Sequence, residues 1–157
     1  MPADIDPTSR RILQILVADG RASYQAIADE VGLSRPAVME RVKRLEETGY
    51  ILGYSARLDR SKIGYPVTAF IAVRYPVNLK DDTPSIRALA DNPSVLECHH
   101  VAGEDCYILK VAAPSLLELE RIICALREPG ESLSTRTTIV LSSVFEKHGV
   151  VPASEES

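Results

Sequence analysis

The sequence predicts an α+β protein of two modules, an N-terminal winged helix-turn-helix followed by a C-terminal ferredoxin-like βαββαβ sandwich. Three observations predict it. SYQAIADEVGLSRPAVMERVKRLEETG (23–49) holds two short helical periods on either side of a glycine turn, and the second carries a basic stripe. Beyond residue 66 the apolar rhythm changes to strand-like runs separated by helical patterns. The charge changes there too: residues 1–65 hold 10 basic and 9 acidic side chains, residues 66–157 hold 8 and 13.

The first helix is expected to start at Asp6-Pro7, because Asp6 can cap it and proline suits a first turn whose N–H groups lack partners. Ile12, Leu13 and Leu16 recur at helical spacing, and Gly20 is expected to stop the helix in a left-handed conformation. Ser23 caps a second helix that turns Ile27, Ala28 and Val31 inward. Gly32 makes the turn, Leu33 plugs it, and Ser34 caps a third helix with Val38, Val42 and Leu45 as its buried stripe. Gly49 ends that helix. Ile51 to Leu58 alternates like a strand and is expected to form a small wing.

Asp59 to Pro66 is turn-rich and reads as a hinge. After it come a strand at 69–76, a short helix from Thr83 to Leu89, strands at Val95–Val101 and Cys106–Ala112, a helix from a Ser115 cap to Leu126, and a strand at Thr135–Val144. Leu116, Leu119, Ile122, Ile123 and Leu126 form the apolar face of the second helix. AFIAVRYP (69–76) and YILKVAAP (107–114) echo one another, as two half-units of a split βαβ fold would. The expected domains are therefore 1–58, a linker at 59–66, 67–148, and a disordered tail at 149–157. Helices on only one side of a four-stranded sheet leave its other face bare, and apolar residues of both parities (Phe70 and Ile71, Ile108 and Leu109) predict that another chain covers it.

Composition narrows the function. The net charge of −4 is not that of a bulk nucleic-acid binder, so DNA affinity must come from local clustering. The stretch Ile63 to Val73 is well short of the roughly 20 residues of a bilayer helix, and the N-terminus lacks a signal-peptide core; the expected place is the cytoplasm, with no membrane partner. Three cysteines, Cys98, Cys106 and Cys124, cannot all pair and are expected to be free, buried thiols. No cofactor fingerprint or catalytic constellation is evident, which argues against an enzyme.

With its valines and leucine turned inward, the third helix presents Ser34, Arg35, Pro36, Ala37, Met39, Glu40, Lys43 and Arg44 outward, with Arg41 at the margin. These are the candidate contacts to double-stranded DNA. One bidentate arginine–guanine pair gives about 1–3 kcal/mol of discrimination. Useful specificity needs about 4–10 kcal/mol, so at least two copies of the helix are expected to act together.

The stretches IDPTSRRILQIL (5–16), VGLSRPAVMERVKRLEETGYILGYSA (31–56), VLECHHVAGEDCYILKV (95–111) and STRTTIVL (134–141) resemble the Lrp/AsnC, or feast/famine, family of bacterial and archaeal transcription regulators. The resemblance spans nearly the whole chain. It implies a RAM-type sensor domain, amino acids as allosteric effectors, and homodimers that assemble further, often into octamers. It also implies an effector site at an interface between dimers. Carried onto this sequence, that site is Ala102, Gly103, Glu104, Asp105 and Cys106, with Ser134, Thr135, Arg136 and Thr137 from the last strand. The chemistry suits a free amino acid. Gly103 admits backbone donors, Glu104 or Asp105 takes the ammonium, and the hydroxyls orient the rest. Cys106 departs from leucine-responsive members, which often place an aspartate there. Two alternatives compete: a metal- or thiol-responsive regulator using Cys98, His100 and Cys106, and an architectural DNA-binding protein with no effector. No metal site is expected, because the cysteine and histidine spacing matches no zinc pattern.

Overall fold

The computed structural model describes residues 5–75, 89–126, 133–147 and 149–152. Its contacts divide the chain into two units: residues 1–56 with the chain's end from Phe145 onward, and Arg57–Val144.

The N-terminal unit is three helices, α1 (Pro7–Ala18), α2 (Tyr24–Val31) and α3 (Arg35–Glu47). Each start is capped as the sequence predicts. The Asp6 carboxylate accepts from the N–H groups of Thr8 and Ser9, Ser23 Oγ from Ala26 and Ser34 Oγ from Ala37. Ile12, Ile27, Val38 and Val42 are fully buried where the helices meet, joined by Leu13, Ala28 and Leu45. Gly32 takes φ +69°, a left-handed value that a β-carbon would penalise, and it lets the chain reverse between α2 and α3. Gly20 plays no such part. Helix α1 ends on an extended Asp19, whose carboxylate accepts from the Arg21 N–H and closes the turn without a positive φ.

The segment Ile51–Leu58 forms no strand. A single strand needs a partner for its N–H and C=O groups, and none lies beside it among the described residues. It is tied down instead by the Tyr54 hydroxyl, which donates to Glu46 at 3.1 Å. Residues 149–152, within the expected disordered tail, are described without regular structure. A β-carbon on Gly149 would lie 3.2 Å from Val17 of α1.

The C-terminal unit is an antiparallel sheet with strands β1 (Val67–Arg74), β2 (Val95–His100), β3 (Tyr107–Ala113) and β4 (Ser134–Ile139) in the order β2-β3-β1-β4, plus helix α4 (Leu116–Leu126). This is the strand order of a split βαβ sandwich. The expected helix from Thr83 lies outside the described residues except for Leu89, which opens a 3-10 turn, Leu89–Asp91. Ala69, Ile71, Val73, Leu109, Val111 and Ala113 project from one sheet face onto Leu119, Ile122 and Leu126 of α4. Leu116, the first residue of α4, is 60% exposed rather than part of that face. Strand β4 stops at Ile139, short of the expected Val144, and leaves Leu141 and Val144 exposed.

On the other sheet face Phe70 is exposed between Lys110 and Thr138, and Ala72 lies between Ile108 and Arg136. Polar side chains interleave the apolar ones there, so the face is mixed rather than uniformly greasy. The cysteines also differ from expectation. All three are free, but Cys98 on the edge strand β2 and Cys124 on the outer side of α4 are exposed, and Cys106 is half-buried. Among the described residues no helix is long and apolar enough to cross a membrane.

Candidate functional site

Helix α3 is held from behind by Val38, Val42 and Leu45, so its front projects from the N-terminal unit. Ser34, Arg35, Pro36, Met39, Glu40, Lys43 and Arg44 are exposed along it, and Ala37 is half-buried. The guanidinium groups of Arg35 and Arg44 take no partner among the described residues. Lys43 lies 3.6 Å from Glu47, a loose surface pair that other anions can displace. Among the acidic side chains, Glu46 is occupied by Tyr54, whose phenol is pushed up to about 12, first by burial and then by that carboxylate. The leading end of α3, with its capped N-terminus and Arg35, suits phosphates and base edges.

Arg41 behaves differently from the other basic residues of α3. It is half-buried, and its Nη1 donates to Asp6 Oδ2 at 3.0 Å and to Ser9 Oγ at 3.1 Å. One sequence signal points there. Positions 38, 41, 42 and 45 follow the i, i+3, i+4, i+7 rule, so Arg41 sits within the inward stripe.

In the C-terminal unit the loop between β2 and β3 is closed at its base. The Val101 N–H donates to the Cys106 carbonyl at 2.9 Å, and the Cys106 N–H donates to the Val73 carbonyl at 2.8 Å. Gly103 has φ +146° with open space where a β-carbon would stand. Ala102, Gly103 and Glu104 form the exposed tip, while Asp105 and Cys106 are half-buried at the base.

Strand β4 approaches the same place through β1. Thr135 is opposite Val73, Arg136 opposite Ala72 and Thr137 opposite Ile71. Thr135 and Thr137 are half-buried on the core side, whereas Ser134 and Arg136 are exposed on the other. Arg136 Nη2 donates to Asp105 Oδ2 at 2.7 Å and bridges loop and strand. Asp105, Cys106, Thr135 and Arg136 thus gather around the end of β1, with the loop tip standing away from them.

Sequence reasoning missed the aromatic wall beside this place. Tyr107 meets Tyr75 edge-on with ring centroids 6.2 Å apart, and His100 lies over Tyr107 at 5.0 Å. The pairing of His100 with Tyr107 is set by the loop that joins β2 to β3, and the approach of Tyr75 to Tyr107 spans 32 positions, so neither is visible in one strand alone. Cys98 and His100 share one side of β2 and border a shallow groove with Leu96 and Tyr107. Cys98 is exposed as a residue, but partial burial raises its thiol above the ordinary value. Among the described residues no three histidine, cysteine or acidic groups converge as metal ligands.

The chain is similar to known proteins over both units. A family model for winged helix-turn-helix DNA-binding domains matches residues 5–51, and one for the Lrp/AsnC ligand binding domain matches residues 68–150. The chain is 35% identical to the HTH-type transcriptional regulator LrpA of Mycobacterium tuberculosis, over 94% of this chain and 97% of that one. It is 32% identical to the leucine-responsive regulatory protein of Escherichia coli K12, over 94% and 92%. Among solved structures, a feast or famine regulatory protein from M. tuberculosis complexed with L-methionine superposes with a TM-score of 0.86 at 34% identity, covering 95% of this chain and all of that one. Helix α3 with its exposed basic front and the closed loop beside β4 therefore lie in a transcriptional regulator of the Lrp/AsnC family, to which this chain belongs, with a DNA-binding helix-turn-helix and a ligand-binding domain.

Proposed function

We propose that the chain is a sequence-specific regulator whose C-terminal unit binds an amino acid and passes that binding to the DNA-reading helix as a change in assembly. The observation that carries the amino acid reading is the Asp105–Arg136 bridge, which sets an anion and a cation side by side at the loop base. A zwitterion offers the complementary pair. Its ammonium takes Asp105, its carboxylate takes Arg136 and the backbone donors near Gly103, and the hydroxyl of Ser134, on the same side of β4 as Arg136, orients the rest, while Thr135 and Thr137 back the strand from the core side. The methionine held by the structurally similar feast or famine protein supports this class of ligand.

Specificity beyond one helix calls for homodimers, and the mixed face around Phe70 suits further association. An effector bound between dimers shifts their packing and so re-spaces the reading helices, with a coupling typically about 1–3 kcal/mol. The test is calorimetry with each common amino acid, then operator binding with and without the one that binds. Gly103→Trp should abolish the response and spare DNA binding, since φ +146° strains any side chain there. A Gly103→Trp protein that still responds as wild type does would refute the site. A ligand that binds yet changes neither assembly nor operator affinity would refute the coupling.

A further inference from the structure

We infer that Arg41 is a positioning residue: with Asp6 and Ser9 it locks the recognition helix α3 at a fixed angle to α1, and it does not itself read DNA. Three side chains from two helices carry this. Asp6 uses one carboxylate oxygen to cap α1, accepting from the N–H groups of Thr8 and Ser9 at 3.1 Å each. Its other oxygen accepts from Ser9 Oγ at 2.6 Å and from Arg41 Nη1 at 3.0 Å. Ser9 Oγ in turn accepts from the same Arg41 nitrogen at 3.1 Å. A closed triangle of hydrogen bonds thus joins the cap of α1 to the middle of α3.

Ser9 is a buried polar residue, at 7% exposure, among the apolar side chains of this core. A buried hydroxyl is tolerated only when paired, and its partners here are Asp6 and Arg41. Both Ser9 and Arg41 stand in apolar stripes, Ser9 ahead of Ile12 and Leu13 and Arg41 between Val38 and Leu45. An apolar contact between two helices permits sliding and rolling. A planar guanidinium held against a carboxylate and a hydroxyl does not, because its hydrogen bonds are directional. Recognition needs that rigidity, since a base contact at α3's leading end is lost when the helix rolls. The inference rests only on the helix-turn-helix being the DNA-binding element.

The test uses the full-length protein, a duplex recovered by selection from random-sequence DNA with the wild-type chain, and a scrambled duplex of equal length. Asp6→Asn keeps an acceptor for the cap but loses the charge that holds Arg41. Asp6→Asn and Arg41→Ala should each weaken binding to the selected duplex by about tenfold, and the double variant should be no worse than either single one. Binding to the scrambled duplex and the slope of affinity against salt should stay as in wild type. Two results would overturn the inference. One is Arg41→Ala weakening both duplexes alike and lowering the salt slope by about one, as a lost phosphate contact does, with Asp6→Asn harmless. The other is folded variants that melt earlier yet keep the wild-type ratio of selected to scrambled affinity, the mark of a purely stabilising tie. If either single variant fails to fold, Ser9→Ala, which removes only the bridging hydroxyl, is judged by the same affinity ratio and salt slope.

Discussion

In the N-terminal unit every candidate DNA contact lies between Ser34 and Arg44, on one helix and its cap, whereas in the C-terminal unit Asp105 and Arg136 meet across 31 residues of sequence. The two sites are therefore specified differently. A row of contacts on one helix follows from helical period and from the core behind it. A site made by a loop and a distant strand exists only once the sheet register is set, because sliding β4 by one residue would turn Arg136 to the other face. The first site is robust and local, while the second depends on pairing and is easily reshaped. That difference suits a molecule in which one end must stay constant while the other responds.

The sharpest way to break this comparison is to damage one core and watch the other unit. Ile27 is fully buried between the helices, and Ile→Ala substitutions at such positions cost about 2–5 kcal/mol. Ile27→Ala should abolish operator binding while amide hydrogen exchange in β1 and β3 stays protected. Loss of protection in the sheet at the same time would show that the two units fold as one. A smaller effect sharpens the contrast from the surface. Arg35→Ala should weaken operator binding by about 1–3 kcal/mol. Calorimetric binding of the effector should be unchanged, since no part of its proposed site lies on α3. A parallel loss of effector affinity would mean that the sites share residues.

The same contrast explains what the sequence made legible. The caps at Asp6, Ser23, Ser34 and Ser115, the turn at Gly32 and the buried stripes of α1 to α3 are local, and each was readable from a few neighbouring residues. The split βαβ fold followed from element order and the weak echo between the two strands that end at prolines, and the strand order β2-β3-β1-β4 is that of such a fold. What was hidden is what distance decides. The ion pair between Arg41 and Asp6 spans 35 positions and needs α1 docked on α3. Strand β4 ends at Ile139, and its last bond to β1 is from the Val140 N–H to the Thr68 carbonyl near the start of β1, although the β-branched and apolar pattern continues to Val144. Ile51–Leu58 has a strand's alternation, but alternation alone does not supply a partner. Of the proposed effector residues, the sequence marked both segments and could not reveal that Asp105, rather than Glu104, is the acid that faces Arg136.

The smallest effect concerns pH and probes the tie that holds the local site in shape. The Asp6 carboxyl is held below the ordinary carboxylate range. The Ser9 hydroxyl lowers it most, burial opposes that, and the Ser9 N–H and the Arg41 charge lower it further. A carboxyl that is more acidic in the folded chain than in the unfolded one binds protons less readily when folded. Its contribution to stability is complete above the unfolded value, about 3.9, and is lost as the pH falls through the lower folded value. The thermal midpoint of the wild-type N-terminal unit should therefore exceed that of Asp6→Asn at neutral pH, and the two should converge as the solution is made acid. Because Asp6 is about half exposed, the difference should be modest and should shrink with added salt. A gap between the two proteins that persists unchanged down to the pH of acid unfolding would mean that the carboxylate charge contributes nothing there, and that the cap at Asp6 stabilises α1 through its neutral hydrogen bonds alone.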